Sequence, residues 1–252
     1  MNKTIYFIAN WKMNGNTKSF KEIMYVYKFL KINFTKKLKK VIFAPPLHLL
    51  YHFRNKINSS ILSFASQDVS FISKKEGAFT GQISANMLKN DCRIEYVIIG
   101  HSEKRLIDEN YLVIKSKIIN ALNHNLKVIF CIGENLSIKK KGMSYKFLVN
   151  QISKSLDSKM NLNNILIAYE PIWSIGTGMV PSVDYLNFIY NKLNVFFKKK
   201  YKFNSPKMLY GGSVDSKNIT SFKNVNFLSG FLIGGASLNG KSFKNIIKNY
   251  FN

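Results

Sequence analysis

A closed (β/α)8 barrel, one α/β domain over residues 1–252, is the fold class that three observations predict. Short β-branched and aromatic runs alternate eight times with segments of helical period, and such alternation implies a parallel sheet. Eight units in 252 residues match a closed barrel. No GxGxxG follows the first run, as an open doubly wound sheet binding a dinucleotide would need.

The strands are expected at Thr4–Ala9, Val41–Ala44, Ile61–Ala65, Tyr96–Ile99, Val128–Ile132, Ile165–Tyr169, Lys207–Tyr210 and Phe231–Ile233. Each is a short apolar run rich in Ile, Val, Phe and Tyr, suited to a sheet covered on both faces. Between them, Ser19–Leu30, Tyr111–Leu122, Ser144–Leu156, Val183–Phe197 and Phe243–Tyr250 repeat apolar residues at three- and four-residue spacing and are expected to be helices. The stretch Gln67–Gln82 has neither period and exceeds the usual βα loop, so it calls for a functional or interface role.

Composition narrows the class. A hydrophobic content of 46% excludes disorder, and no apolar stretch approaches the ~20 residues of a membrane helix. Asn10 and Lys12 interrupt the apolar N-terminal patch before a signal core forms, so a cytoplasmic, soluble protein is expected. Two cysteines, Cys92 and Cys131, make no disulfide framework or metal knuckle. The net charge of +25 invites a nucleic-acid reading, yet the only arginines are Arg54, Arg93 and Arg105 and the lysines are spread along the chain. Lys, Asn, Ile, Phe and Tyr share AT-rich codons, so drift accounts for the charge and no specific nucleic-acid partner is expected. The runs Lys36–Lys40 and Lys198–Lys200 are then read as solvated helix ends.

A barrel carries its chemistry at the C-terminal ends of its strands. Asn10 and Lys12 follow the first strand, and alternation points both toward the mouth with Trp11 turned away. His101 is the one histidine at a strand end, and Glu103 stands two residues on. Glu170 closes the sixth strand, where a carboxylate needs either chemistry or an ion pair to justify burial. Pro171, Gly176 and Gly178 after it form a stiff-based, flexible-tipped loop suited to covering the acid and excluding water. Glycine pairs close strands seven and eight: Gly211–Gly212 with Ser213, and Gly234–Gly235. Main-chain amides at those two ends are a common barrel grip for phosphate.

The segments "NWKMNG" (10–15), "GAFTG" (77–81), "GHSEKR" (100–105), "CIGE" (131–134), "AYEPIWSIGTG" (168–178), "YGGSV" (210–214) and "GFLIGGASL" (230–238), in this order, resemble the triosephosphate isomerase family. The resemblance implies interconversion of dihydroxyacetone phosphate and D-glyceraldehyde 3-phosphate through an enediolate, without metal or organic cofactor. The family is a worked example of a carboxylate base paired with a neutral histidine. The resemblance makes Glu170 the base, His101 the neutral electrophile, Lys12 the charge stabiliser and Asn10 its orienting neighbour. Gly176, Ser213, Gly234 and Gly235 match the phosphate grip, Glu103 a supporting carboxylate, and 172–178 the lid. The "GAFTG" loop implies a homodimer with Thr80 as its inserted contact. Gln82 and Lys104 replace the family's usual Glu and Arg, and Met179 and Val180 replace its usual hinge before proline. A weaker dimer or an altered lid is therefore expected. Two rivals stand beside this reading: another phosphate-binding barrel, which leaves Glu170 and "GHSEKR" unexplained, and a basic nucleic-acid binder, supported by charge alone.

Overall fold

The computed structural model describes residues 4–32, 39–57, 60–107, 109–204 and 206–252. Eight parallel strands close into a barrel in sequence order: β1 (Ile5–Asn10), β2 (Lys39–Ala44), β3 (Leu62–Ser66), β4 (Tyr96–Ile99), β5 (Lys127–Ile132), β6 (Ile165–Tyr169), β7 (Lys207–Tyr210) and β8 (Leu228–Ile233). The ring is completed by β8 pairing with β1, Ile8 lying opposite Leu232. All eight expected strands are present, with ends displaced by up to three residues.

The helices packed outside are α1 (Phe20–Ile32), α2 (Leu47–Lys56), α3 (Ser102–Ile107), α4 (Tyr111–Asn123), α5 (Leu136–Lys140), α6 (Ser144–Ser155), α7 (Val183–Tyr201) and α8 (Gly240–Phe251). Asn110, Asn135, Ser182 and Asn239 start α4, α5, α7 and α8 by accepting hydrogen bonds from first-turn amides. The crossovers after β3 and β7 carry only a wide turn at Met87–Asp91 and a 3-10 segment at Ile219–Asn224. No helix among the described residues is long and apolar enough to cross a membrane.

Two cores follow from strand alternation. Outward residues such as Phe7, Val41, Phe130 and Phe231 pack against the helices. Inward residues Ile8, Ile42, Ala44, Ala65, Tyr96, Ile98, Ile129, Cys131, Leu166, Ala168, Leu209 and Leu232 fill the barrel. Small residues among them let eight strands converge without leaving a pore. Two residues beyond the last inward apolar position, the same face reaches Asn10, Gly133, Glu170, Gly211 and Gly234. Alternation alone therefore delivers one amide, one carboxylate and three glycines to the mouth.

The lysine runs divide. Lys198–Lys200 are exposed at the end of α7, as expected. Lys39 and Lys40 are not helix ends: both belong to β2, opposite Ile5 and Tyr6. Their stems are half buried, with Lys39 Nζ 5.7 Å from the Phe29 ring centroid and Lys40 Nζ 3.8 Å from Glu95. An aliphatic stem that packs while its ammonium reaches the rim explains why lysine is tolerated in the strand. The first part of that run, residues 36–38, lies outside the described residues.

Candidate active site

Glu170 leaves β6 inward, and the neighbouring strands make room for it. A Cβ on Gly133 would fall 1.8 Å from the Glu170 carbonyl oxygen, and one on Gly211 would fall 2.7 Å from Glu170 Cγ. The backbone is fixed by Glu170 N–H donating to Ile132 O at 2.7 Å and Gly211 N–H donating to Tyr169 O at 2.8 Å. Glu170 Oε1 lies 3.2 Å from His101 Nε2. Its other oxygen, Oε2, is buried and has no hydrogen-bond partner among the described residues, while the Cys131 thiol lies against the carboxylate. Burying a carboxylate oxygen without a donor is costly, which calls for a reason beyond packing.

His101 follows β4, and the first residues of α3 set its ring. The Glu103 amide donates to Nδ1 at 3.3 Å, so Nδ1 is the acceptor and a neutral ring carries its proton on Nε2, facing Glu170. Burial resists a charged ring. The Glu170 carboxylate and its hydrogen bond, with Glu103 beyond, favour one, and together they raise the His101 pKa. Arg105 braces this loop: Nε donates to Gly100 O at 2.7 Å and a terminal nitrogen to Cys131 O at 3.0 Å.

Lys12 arrives by a less regular route than simple alternation. Its φ of +54° is left-handed, a conformation that costs a non-glycine residue about 1–3 kcal/mol and recurs at functional sites. The turn is secured by Lys12 N–H donating to Asn10 Oδ1 at 3.1 Å and by Gln67 Nε2 donating to both Lys12 O and Ala44 O at 2.8 Å. Lys12 Nζ meets Glu103 Oε1 at 2.7 Å. Trp11 turns outward as expected, edge-on to Phe43 and Phe53.

Asn10, Lys12, His101, Glu170, Gly176, Ser213, Gly234 and Gly235 all line one cavity of about 320 Å³. Glu103 stands behind it, bridging Lys12 and His101. Gly234 and Gly235 open a short 3-10 turn, and the first amides of such a turn have no partner within it. Apart from its chain neighbours, no described atom lies within 4 Å of where a Gly235 Cβ would be, and Lys12 Cε is 3.6 Å from that of Gly234. Backbone N–H groups and an ammonium thus meet on one side of the cavity, as an anion requires. The Ser213 hydroxyl donates to Ser174 O at 2.7 Å, so its proton is directed at the lid.

The segment expected to act as the lid begins in the 3-10 turn Ile172–Ser174 and reaches a tip where Gly176 and Gly178 have φ of +69° and +75°. Its base is gripped by Glu134. Oε1 of that fully buried carboxylate accepts from Tyr169 Oη at 2.9 Å, Trp173 Nε1 at 3.1 Å, Tyr185 Oη at 3.2 Å and Ser144 Oγ at 3.3 Å. Burial, with Glu134 alongside, pushes the Tyr169 phenol well above its ordinary range, keeping it a donor. Lys139 Nζ caps the other side of Trp173, 3.3 Å from the ring centroid.

Thr80 is not at this cavity. It lies on the exposed segment Glu76–Gln82, beside a second cavity of about 410 Å³ whose lining includes Lys12, Gln67, Gln82 and Lys104. Lys104 pairs with Asp68 at 3.2 Å. Glu134, Ser174, Gly133 and Arg105 have parts in this site that the sequence alone does not assign. The signal for Glu134 and Gly133 was the "CIGE" motif, and for Arg105 its rarity among 38 basic residues.

The family model described as triosephosphate isomerase matches residues 5–250. A triosephosphate isomerase of Buchnera aphidicola is 39% identical over 247 residues, covering 95% of both chains. One from Dictyoglomus thermophilum is 35% identical over 249 residues, covering 95% of this chain and 97% of that one. In three dimensions, the triosephosphate isomerase of Bartonella henselae superposes with a TM-score of 0.87 at 28% identity, covering 98% of this chain and 99% of the other. Agreement in sequence, length and fold means that this chain belongs to the triosephosphate isomerase family.

Proposed function

We propose that Glu170 is the base with which the chain interconverts dihydroxyacetone phosphate and D-glyceraldehyde 3-phosphate. The carrying observation is the buried, unpartnered Glu170 Oε2 inside a cavity that also holds His101, Lys12 and the glycine turn. The phosphate is held by main-chain amides at Gly234 and Gly235 and, from the lid, at Gly176. That leaves the carbonyl end of the substrate beside the acid.

Glu170 removes a proton from the carbon next to the carbonyl, and the electron pair moves onto the carbonyl oxygen. His101 gives its Nε2 proton to that oxygen and recovers one from the neighbouring hydroxyl. Glu170 then returns its proton to the other carbon, so atoms and electrons balance. Lys12 steadies the negative charge, oriented through Asn10, while Glu103 supplies the amide at Nδ1 and holds the Lys12 ammonium. A neutral donor matches an enediolate oxygen better than a stronger acid. The closed lid keeps water away and stops the enediolate from breaking its carbon–oxygen bond to phosphate, which would depart with the electron pair.

The active form is read as a homodimer, with 76–82 of each chain inserted beside Lys12 of the other. The exposed loop and the cavity between Lys12, Gln67 and Lys104 support this. The unpaired Cys92 and Cys131 suit a reducing cytoplasm. Triose phosphate turnover by the purified chain, lost in Glu170→Gln, tests the reading. Salt-sensitive nucleic-acid binding without turnover would overturn it.

A further inference from the structure

Ser174 stands in the middle of the lid's base, wholly buried, where the mechanism above gives it no task. Its hydroxyl lies 2.5 Å from the carbonyl of Met179 and 2.9 Å from Tyr210 Oη. A carbonyl only accepts, so the serine proton goes to Met179 and the tyrosine proton goes to the serine. One relay therefore runs from the end of β7, through the rising limb of the lid, to its descending limb. A second strap comes from the same strand end, since Ser213 Oγ donates to the carbonyl of Ser174 itself at 2.7 Å.

The neighbouring strand end leaves room for the relay only because it lacks a side chain. A Cβ on Gly212 would come within 2.6 Å of Ser174 Oγ and 2.1 Å of Tyr210 Oη, so the glycine is what lets the relay close. Met179 and Val180 are the positions where the sequence departs from the usual lid hinge. Their side chains are exposed, and the Ser174 contact is made by the Met179 backbone, which explains why this limb tolerates such residues.

We propose that Ser174 is a positioning residue whose hydroxyl latches the two limbs of the lid to each other and to Tyr210, holding the lid over the bound phosphate. This rests on residues 172–178 acting as the lid, and it adds the residue that sets how firmly the lid stays shut. Because the relay is made within the protein, its loss changes lid closure and leaves the proton-transfer groups in place.

The test uses the full chain labelled with 5-fluorotryptophan, which reports on Trp11 in the core and Trp173 in the lid, and 2-phosphoglycolate, whose planar carboxylate carries charge as an enediolate does. In the parent chain the ligand moves the Trp173 resonance and leaves that of Trp11. In Ser174→Ala, 2-phosphoglycolate binds about tenfold more weakly and kcat/KM falls by a similar factor, the scale of one net hydrogen bond. The liganded Trp173 resonance is then drawn back toward its free position. Tyr210→Phe weakens binding less, and adding it to Ser174→Ala brings little further loss. Ser155→Ala, another wholly buried serine but remote from the lid, leaves binding and kcat/KM unchanged. Binding within twofold of the parent and an unmoved Trp173 resonance in Ser174→Ala overturn the latch. A parent Trp173 resonance that ignores the ligand overturns the lid itself, and the two failures are told apart by which protein shows them.

Discussion

Gly211 lies against Glu170 so closely that a Cβ on the glycine would sit 2.7 Å from Glu170 Cγ and 3.3 Å from Oε1. The carboxylate is thus placed by an absence of side chain on the neighbouring strand. Gly211→Ala is expected to push the acid out of line by several tenths of an ångström or more. Misplacement on the 1 Å scale costs about 10²-fold in rate, so kcat falls by about that factor while the barrel still folds. Steady-state kinetics beside thermal unfolding checks this, and an unchanged kcat would remove the steric argument.

Glu170→Gln keeps the shape of the side chain and removes the carboxylate proposed as the base. The loss expected in kcat is about 10²–10⁴-fold, the usual contribution of a positioned general base. The same change reports on His101. The two influences that most raise its pKa, the Glu170 charge and the hydrogen bond to it, disappear, while burial continues to lower it. His101 is therefore expected to titrate at lower pH in Glu170→Gln than in the parent chain, and Glu103→Gln to shift it in the same direction by less. Nitrogen-15 spectra of the imidazole across pH 4–9 would show it, and an upward shift would contradict the assigned pairing.

How much of this the sequence makes legible depends on period. Strands of alternating burial place Asn10, Glu170, Gly211 and Gly234 on one face by counting in twos, so the mouth of the barrel could be read from residue spacing. Alternation also sends Lys12 to this cavity, which it lines, but it gets there by a left-handed turn braced by Gln67, a detail that spacing does not contain because the donor is 55 residues away. Glu134 and Ser174 depend on long-range partners throughout. Their partners converge from β6, β7, α6 and α7, and only closure of the barrel brings them together. Lys39 and Lys40 show the reverse error, since a charged run was assigned to solvent although its stems pack in β2.

Lys117 of α4 and Glu109 form a buried ion pair, with Asp68, just past the end of β3, at 2.6 Å from the same ammonium. Both side chains of the inner pair are almost shut from water, at 6% and 2% exposure. Removing one partner of such a pair strands the other charge, a loss of about 3–5 kcal/mol. Glu109→Gln is expected to lower stability toward that range, tempered by Asp68 remaining on Lys117. Chemical denaturation of parent and variant at pH 7 measures the difference, and a loss below about 1 kcal/mol would mean that Asp68 alone satisfies the lysine.

Thr80 tests the proposed dimer most directly, because it lies on an exposed loop and does not line the cavity that holds Glu170. If the loop inserts beside Lys12 of a second chain, Thr80→Arg forces a long charged side chain into a confined cavity where a small threonine would sit. The expected product is a folded monomer whose kcat/KM is reduced by about 10²-fold, since the strained turn that presents Lys12 then lacks its cover. The proposed dimer of the parent chain is expected to be weaker than one with an acidic residue at 82 and arginine at 104, because Gln82 brings no charge and Lys104 already faces Asp68 at 3.2 Å. Sedimentation over a range of concentrations, with activity measured on the same samples, separates the outcomes. A monomeric Thr80→Arg that keeps full activity would break the link between assembly and the Lys12 turn, and a parent chain that is monomeric at every concentration would end the dimer itself.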